Sequence, residues 1–318
     1  MNQGYEGMNR NRVGNKGNRR RNIFLIRAGV FMVAIVVCAG LYFGMKEAVA
    51  GGEKPESEEA IVLTQRISGP DTAPIPFDRT RLMPGTNFSI GAGGYAYHTQ
   101  QVRNWTKGKE VYTGKKIAFL TFDDGPTKVT EKVLDILKAR NVPGNFFLNG
   151  KTVDTIKDKS VFERYIAEGH GIATHSYSHV YGYLYPGKVA RADRHVEEYE
   201  KSLSAMKKVF GEGFETMVYR YPGGSGSWKE IQKVHDVLRQ KGVEYIDWNS
   251  LSGDTQPAGR RPESPEAMAA YVLETLKDNR YSDVAVVLMH DTLSATPGYL
   301  DHVIDALEGE GFAFGILR

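Results

Sequence analysis

Seven polar residues in this chain stand where a packing argument would not put them. Asp123 and Asp124 follow the apolar run KIAFLTF, and His175 and His179 close GIATHSYSH. Arg220 ends TMVYR, Asp254 lies just beyond VEYIDW, and His290 ends DVAVVLMH. His175 and His179 are four apart, a spacing that turns both rings to one side on a single helical turn. Two imidazoles and one carboxylate make a catalytic metal set that leaves positions open for water. The zincin pattern needs Glu directly after the first histidine, but Ser176 stands there, so the carboxylate must come from elsewhere. Asp123-Asp124 offers two: one can bind metal while the other acts as a base. Taken singly, each group also has a plain reading. HSYSH could be two surface histidines, and Asp-Gly-Pro is turn chemistry. Two histidines and a carboxylate also describe the iron oxygenase triad.

The elements that carry these residues narrow the choice. Short apolar runs predict strands over 116–122, 144–150, 171–175, 216–221, 243–248, 283–290 and 312–317. Helical spacing appears between them, over 128–140, 159–168, 190–210 and 228–241. The stretch 190–210 places Val196, Tyr199, Leu203, Met206 and Phe210 at steps of three and four. A further helix opens on Ser264 as cap with Pro265 at its first position, and the last carries Leu300, Val303, Ile304 and Leu307. Strands alternating with helices imply a parallel sheet with helical crossovers, hence an α/β fold, either doubly wound or a barrel. Both build their active sites at the C-terminal ends of strands. Five separate segments place polar groups at that edge, and the alternation argues against the oxygenase reading. There is no internal repeat and no glycine-rich phosphate loop. His98, His170, His195, His235 and His302 read as structural.

The chain has 318 residues, 41% hydrophobic and 25% charged, with a net charge of +3. Residues 1–27 hold seven of the 41 Lys/Arg against one acid, Glu6, which leaves 34 basic and 37 acidic residues beyond. This basic run borders an apolar segment, Ile23–Met45, with 18 uncharged residues after Arg27. That length suits a membrane crossing, and the basic flank puts the N-terminus inside. Ala48-Val49-Ala50 offers the other reading, a signal peptide cleaved near Ala50 and a secreted product. Both readings export the C-terminal part of the chain. A basic patch of this kind explains a membrane anchor better than nucleic-acid binding, which needs a reader fold behind it. Residues 46–60 are polar and acidic, a solvated stalk. Residues 61–112 show no clean periodicity and read as a spacer packing partly on the main domain. The only cysteine, Cys38, lies in the apolar segment, so the exported part has no disulfide and no thiol nucleophile.

TFDDGP (121–126), HSYSH (175–179), RYPGG (220–224), the Asp254 loop and LMH (288–290) resemble, in order, five motifs of one family. It is the polysaccharide deacetylases with a NodB-type domain, carbohydrate esterase family 4. The likeness covers roughly residues 113–318 and is nearest to the membrane-anchored peptidoglycan N-acetylglucosamine deacetylases of Gram-positive bacteria. It divides the chain into a basic tail (1–22), an anchor (23–45), a stalk and spacer (46–112) and the deacetylase domain (113–318). The resemblance implies a distorted (β/α) barrel with fewer than eight strands, in line with the seven counted. It implies Asp123 as general base, and Asp124, His175 and His179 as ligands of one divalent metal, zinc first, with cobalt, manganese or nickel as alternatives. Arg220 would hold Asp123. His290 would be the general acid, with Asp254 orienting it and raising its pKa. The Gly223 N–H would help to hold the oxyanion, with Pro222 and Leu288 lining the acetyl pocket.

The implied partners are a cell-wall glycan and, through the N-terminal helix, the membrane, with no nucleic acid and no protein partner. Two departures bear on substrate range. Gly223 stands where the family often has an aromatic residue. Thr255 follows Asp254 where tryptophan is usual, so another residue, Trp248 or Trp228, would complete the methyl pocket. N-acetylglucosamine of peptidoglycan is the expected substrate. Muramic acid, a chitin-like polymer and O-acetylated glycans remain alternatives, as does a non-catalytic glycan-binding module on the same scaffold.

Overall fold

The computed structural model describes residues 78–318 apart from Arg280. The basic tail, the apolar segment 23–45 and the stalk lie outside the described residues, so the expected anchor is not among them. Among the described residues no helix is long and apolar enough to cross a membrane. The described residues belong to one compact unit.

Among the described residues ten strands form: β1 (Ala96–Tyr97), β2 (Ile117–Asp123), β3 (Asn145–Leu148), β4 (Gly171–Thr174), β5 (Val218–Tyr219), β6 (Glu244–Tyr245), β7 (Ser250–Leu251), β8 (Val284–His290), β9 (Ala313–Phe314) and β10 (Ile316–Leu317). The main sheet has the order β6-β5-β4-β3-β2-β8-β7, and every pairing in it is parallel. β6 and β7 are neighbours in the chain yet occupy opposite edges of this sheet, which curls into a half-barrel and stays open between them. The seven strands in the path are not quite the seven expected. The segment 312–317 divides at Gly315: β9 pairs with β2 beside the main path, and β10 pairs with β1. The seventh place is taken by Ser250–Leu251, too short to show an apolar period.

Segments 216–221 and 243–248 shrink to two paired residues each. Beyond them the Arg220 side chain replaces ladder hydrogen bonds, its Nε donating to the carbonyl of Ile246 at 3.1 Å and its Nη2 to that of Asp247 at 3.4 Å. Residues 78–112 pack onto the sheet. The Nδ2 of Asn87 donates to the carbonyls of Ile172 (2.8 Å) and Leu317 (2.9 Å). Val102, on the helix Thr99–Thr106, is buried against Ile117 and Phe119.

Helices cover the outer face. Lys128–Arg140 begins on a Thr127–Thr130 capping box and ends at Asn141 in the left-handed region, φ 52°. Pro265–Lys277 starts as expected, with Ser264 Oγ accepting from the Ala267 N–H at 3.1 Å. Strand alternation then sorts the side chains. Leu120, Phe122, Val287 and Met289 point outward into the core shared with the helices. Ile117, Phe119, Phe147, Ala173, Val218, Ile246, Val284 and Val286 fill the inside of the curl. Removing each of the larger ones, such as Phe119 or Val286, from water contributes about 1.5–3 kcal/mol. Thr121, Asp123, Leu288 and His290 continue the inner rows toward the C-terminal mouth. Thr121 pairs with Leu288, and Asp123 with His290.

Candidate active site

Asp123 is the last residue of β2 and 2% exposed. A carboxylate so buried needs a partner. Arg220, itself fully buried, provides it: Nη1 donates to Asp123 Oδ1 at 2.8 Å and to Thr121 Oγ1 at 2.7 Å. The guanidinium also lies over the Phe147 ring at 3.9 Å. Asp124 follows with φ 77°, a left-handed turn that brings its side chain back to the mouth.

The two histidines meet there by a route that differs from the expected helical turn. β4 ends at Thr174, and the next helix begins only at Tyr181. Between them Ser176 (φ 69°) and His179 (φ 55°) take left-handed conformations, so a doubled-back loop brings the rings to 4.9 Å between centroids. Glu198, buried on the helix Ala192–Phe210, holds this loop. Its Oε2 accepts from the N–H of Tyr177 (2.9 Å), the N–H of Ser178 (2.6 Å) and the hydroxyl of Ser178 (3.0 Å).

His175 Nδ1 lies 2.9 Å from the carbonyl of Arg220. A carbonyl only accepts, so Nδ1 carries the hydrogen and Nε2 is left bare. That Nε2 is 3.7 Å from Asp123 Oδ2 and 3.8 Å from Asp124 Oδ1, while His179 Nε2 is 3.4 Å from Asp124 Oδ1. Burial holds the pKa of His175 below the usual value, against the pull of both aspartates, which favours the neutral ring a metal needs. For Asp124, burial pushes upward, but His175, His179, His290 and the Asn149 amide outweigh it and keep the carboxyl below its ordinary range. One atom from each of Asp124, His175 and His179 lies within 4.8 Å of the others. Two imidazoles and a carboxylate, one ring already fixed in the binding tautomer, fit a divalent cation such as zinc.

Across the β2–β8 ladder stands His290. Its Nδ1 is 3.1 Å from Asp254 Oδ1, and its backbone N–H donates to Asp254 Oδ2 at 2.9 Å. Tyr299 OH donates to the same Oδ2 at 2.8 Å. Burial lowers the pKa of His290, but the hydrogen bond and charge of Asp254, with Asp123 and Asp124 beyond, raise it to about 9. Leu288 lies two residues back on the same inner row. Pro222 accepts Trp228 Nε1 on its carbonyl at 2.9 Å. Gly223 and Gly224 are both left-handed, φ 76° and 74°, and a Cβ at Gly224 would come within 2.9 Å of Trp248. Trp228 and Trp248 thus flank this turn from two sides. The structure brings Asp123, Asp124, His175, His179 and Arg220 together, sets Asp254 with His290 across the β2–β8 ladder, and places Pro222 and Gly223 in the turn that follows Arg220.

The domain model for polysaccharide deacetylases matches residues 110–246. The chain is 30% identical over 212 residues to a peptidoglycan-N-acetylglucosamine deacetylase of Bacillus cereus, covering 65% of this chain and 70% of that one. It is 31% identical over 204 residues to the peptidoglycan-N-acetylglucosamine deacetylase of Listeria monocytogenes, covering 64% of this chain but 38% of that longer protein. A CE4 esterase of Streptococcus mutans superposes with a TM-score of 0.71 at 35% identity, covering 76% of this chain and all of that one. This chain belongs to the polysaccharide deacetylase family. The deacetylase is a hydrolase acting on amide bonds.

Four residues of this deacetylase were not singled out in the sequence. Glu198 sits within the helix Ala192–Phe210 and Tyr299 in the first turn of the helix Thr296–Gly309, with no local sign of their targets. Asp247 anchors the glycine turn: its Oδ1 accepts from the Ser225 N–H at 2.8 Å, and its Oδ2 from the Ser225 hydroxyl. Asp291 is fully buried beneath the Asp123-Asp124 turn, with Thr130 Oγ1 donating to its Oδ2 at 2.6 Å, and burial raises its pKa to about 7. An acid directly after His290 was the one signal the sequence carried. The remaining histidines have local partners. His170 accepts from the Gly144 N–H, His195 meets Tyr219, His235 meets Tyr221, His98 meets Arg318 and His302 meets Glu266.

Proposed function

We propose that this deacetylase removes the N-acetyl group from N-acetylglucosamine in peptidoglycan, with a divalent cation, zinc first, held by Asp124, His175 and His179. The observation that carries the reading is the juxtaposition of that donor cluster with a buried, arginine-backed carboxylate, Asp123. When bound, the cation supplies Lewis acidity toward the acetamide carbonyl. Asp123, fixed by Arg220, takes the proton of the attacking water. The Gly223 N–H, which donates to no acceptor among the described residues, faces the developing oxyanion as a preorganised donor. His290, protonated at neutral pH, gives its proton to the departing amine nitrogen, and Asp254 holds the imidazolium in place. Leu288, Pro222 and the two tryptophans bound the space for the acetyl methyl.

The relatives named as peptidoglycan deacetylases support this substrate, and so does the apolar segment 23–45. Read as an anchor with the N-terminus inside, it tethers the enzyme outside the membrane beside wall polymer. Cleavage near Ala50 would release it into the same space. The test is acetate release from N-acetylglucosamine oligomers by protein stripped with a chelator and then reloaded with Zn²⁺ or Co²⁺, with bound metal counted in parallel. Release only after reloading, at one ion per chain, is expected. Release by metal-free protein would overturn the metal assignment.

A further inference from the structure

Gly223 removes a side chain from the place where the family often carries an aromatic ring, yet that place is occupied. A Cβ built on Gly223 would lie 3.2 Å from Trp228 Cζ2 and 3.4 Å from the hydroxyl of Tyr181. Trp228 is pinned, bonded to the Pro222 carbonyl and stacked on Tyr185 at 3.8 Å and 3°. Tyr181 opens the short helix Tyr181–Leu184, two residues after His179. Its ring packs on His179 (5.3 Å) and Trp228 (5.4 Å) and is 46% exposed. Its hydroxyl makes no hydrogen bond among the described residues. Two unengaged donors, the Gly223 N–H and the Tyr181 O–H, therefore flank one space beside the metal-ligand cluster.

We propose that the Tyr181 hydroxyl is a second donor to the acetamide carbonyl oxygen, acting beside the Gly223 N–H. The proposal rests on the deacetylase mechanism above and adds a catalytic residue to it. Ring packing on His179 and Trp228 fixes the direction of the hydroxyl, so little ordering is left for the moment of reaction. A tyrosine from the helix after the histidine loop would thus supply the side-chain hydroxyl that Gly223 lacks.

Tyr181→Phe keeps the ring contacts and deletes only the donor. Removing one oxyanion donor typically costs about 10²–10³-fold in kcat. For a half-exposed hydroxyl, a loss at or below the low end of that range, about 10- to 100-fold, is expected on N-acetylglucosamine oligomers. KM, bound metal and melting temperature should stay near those of the parent enzyme, and Tyr181→Ala should be no better than Tyr181→Phe. An unchanged kcat in Tyr181→Phe, or a rise in KM alone, would overturn the proposal. So would a loss confined to Tyr181→Ala, which would assign the effect to the ring. A parent enzyme that releases no acetate would overturn the reading of function itself, and this inference with it.

Discussion

Arg220 donates to Asp123 at 2.8 Å through its guanidinium while its own carbonyl accepts from His175 at 2.9 Å. One residue at the end of β5 therefore orients both the carboxylate read as the base and a ring read as a metal ligand. Asp123→Asn keeps the shape but removes the charge. Acetate release should fall below detection while Zn²⁺ still binds, because Asp124, His175 and His179 remain. Leaving Arg220 buried without its counter-ion should cost about 3–5 kcal/mol of stability, read by denaturant unfolding. Near-normal turnover would remove Asp123 from the mechanism.

Glu198 gathers three donors from Tyr177 and Ser178, between the two histidines. Glu198→Ala strands two backbone N–H groups, each costing about 1–3 kcal/mol if left unpaired. The loop should then lose its left-handed path. Zn²⁺ affinity measured by chelator competition should fall about 10- to 100-fold, the usual scale for residues that support metal ligands. A variant that melts earlier but binds zinc as the parent does would show that Glu198 serves the fold alone.

His290 owes its raised pKa to Asp254. Its folded value, about 9, lies above the ordinary 6.5, so the stabilisation it lends is fully present below pH 6.5 and is lost as the pH rises through 9. In metal-free protein the ring should titrate near 9 by NMR. Asp254→Asn should lower that value, since burial is then opposed only by the more distant charges of Asp123 and Asp124. The same variant should be destabilised below pH 6.5 and approach the parent above pH 9. An unchanged titration would remove Asp254 as the cause.

The inner rows of the barrel were legible because period-two alternation makes Asp123 and His290 the next members of apolar series. The helix 128–140 was legible from its spacing, and 265–277 from its cap and spacing. The histidine loop is not the helical turn its spacing suggests, since a four-residue spacing carries no record of the positive φ at Ser176 and His179. β7 escaped because two residues show no period. Glu198 and Asp247 escaped because their hydrogen-bond partners lie 20–22 residues away in the chain. Tyr181 escaped because its significance depends on an absence at Gly223.

The most direct test of the central claim is mass spectrometry of purified peptidoglycan, digested to muropeptides after incubation with the Zn²⁺-loaded domain. The mechanism predicts loss of one acetyl mass from the glucosamine unit, abolished by chelator and by Asp123→Asn. An acetyl lost from muramic acid instead, or a glycan bound but unchanged in mass, would contradict it.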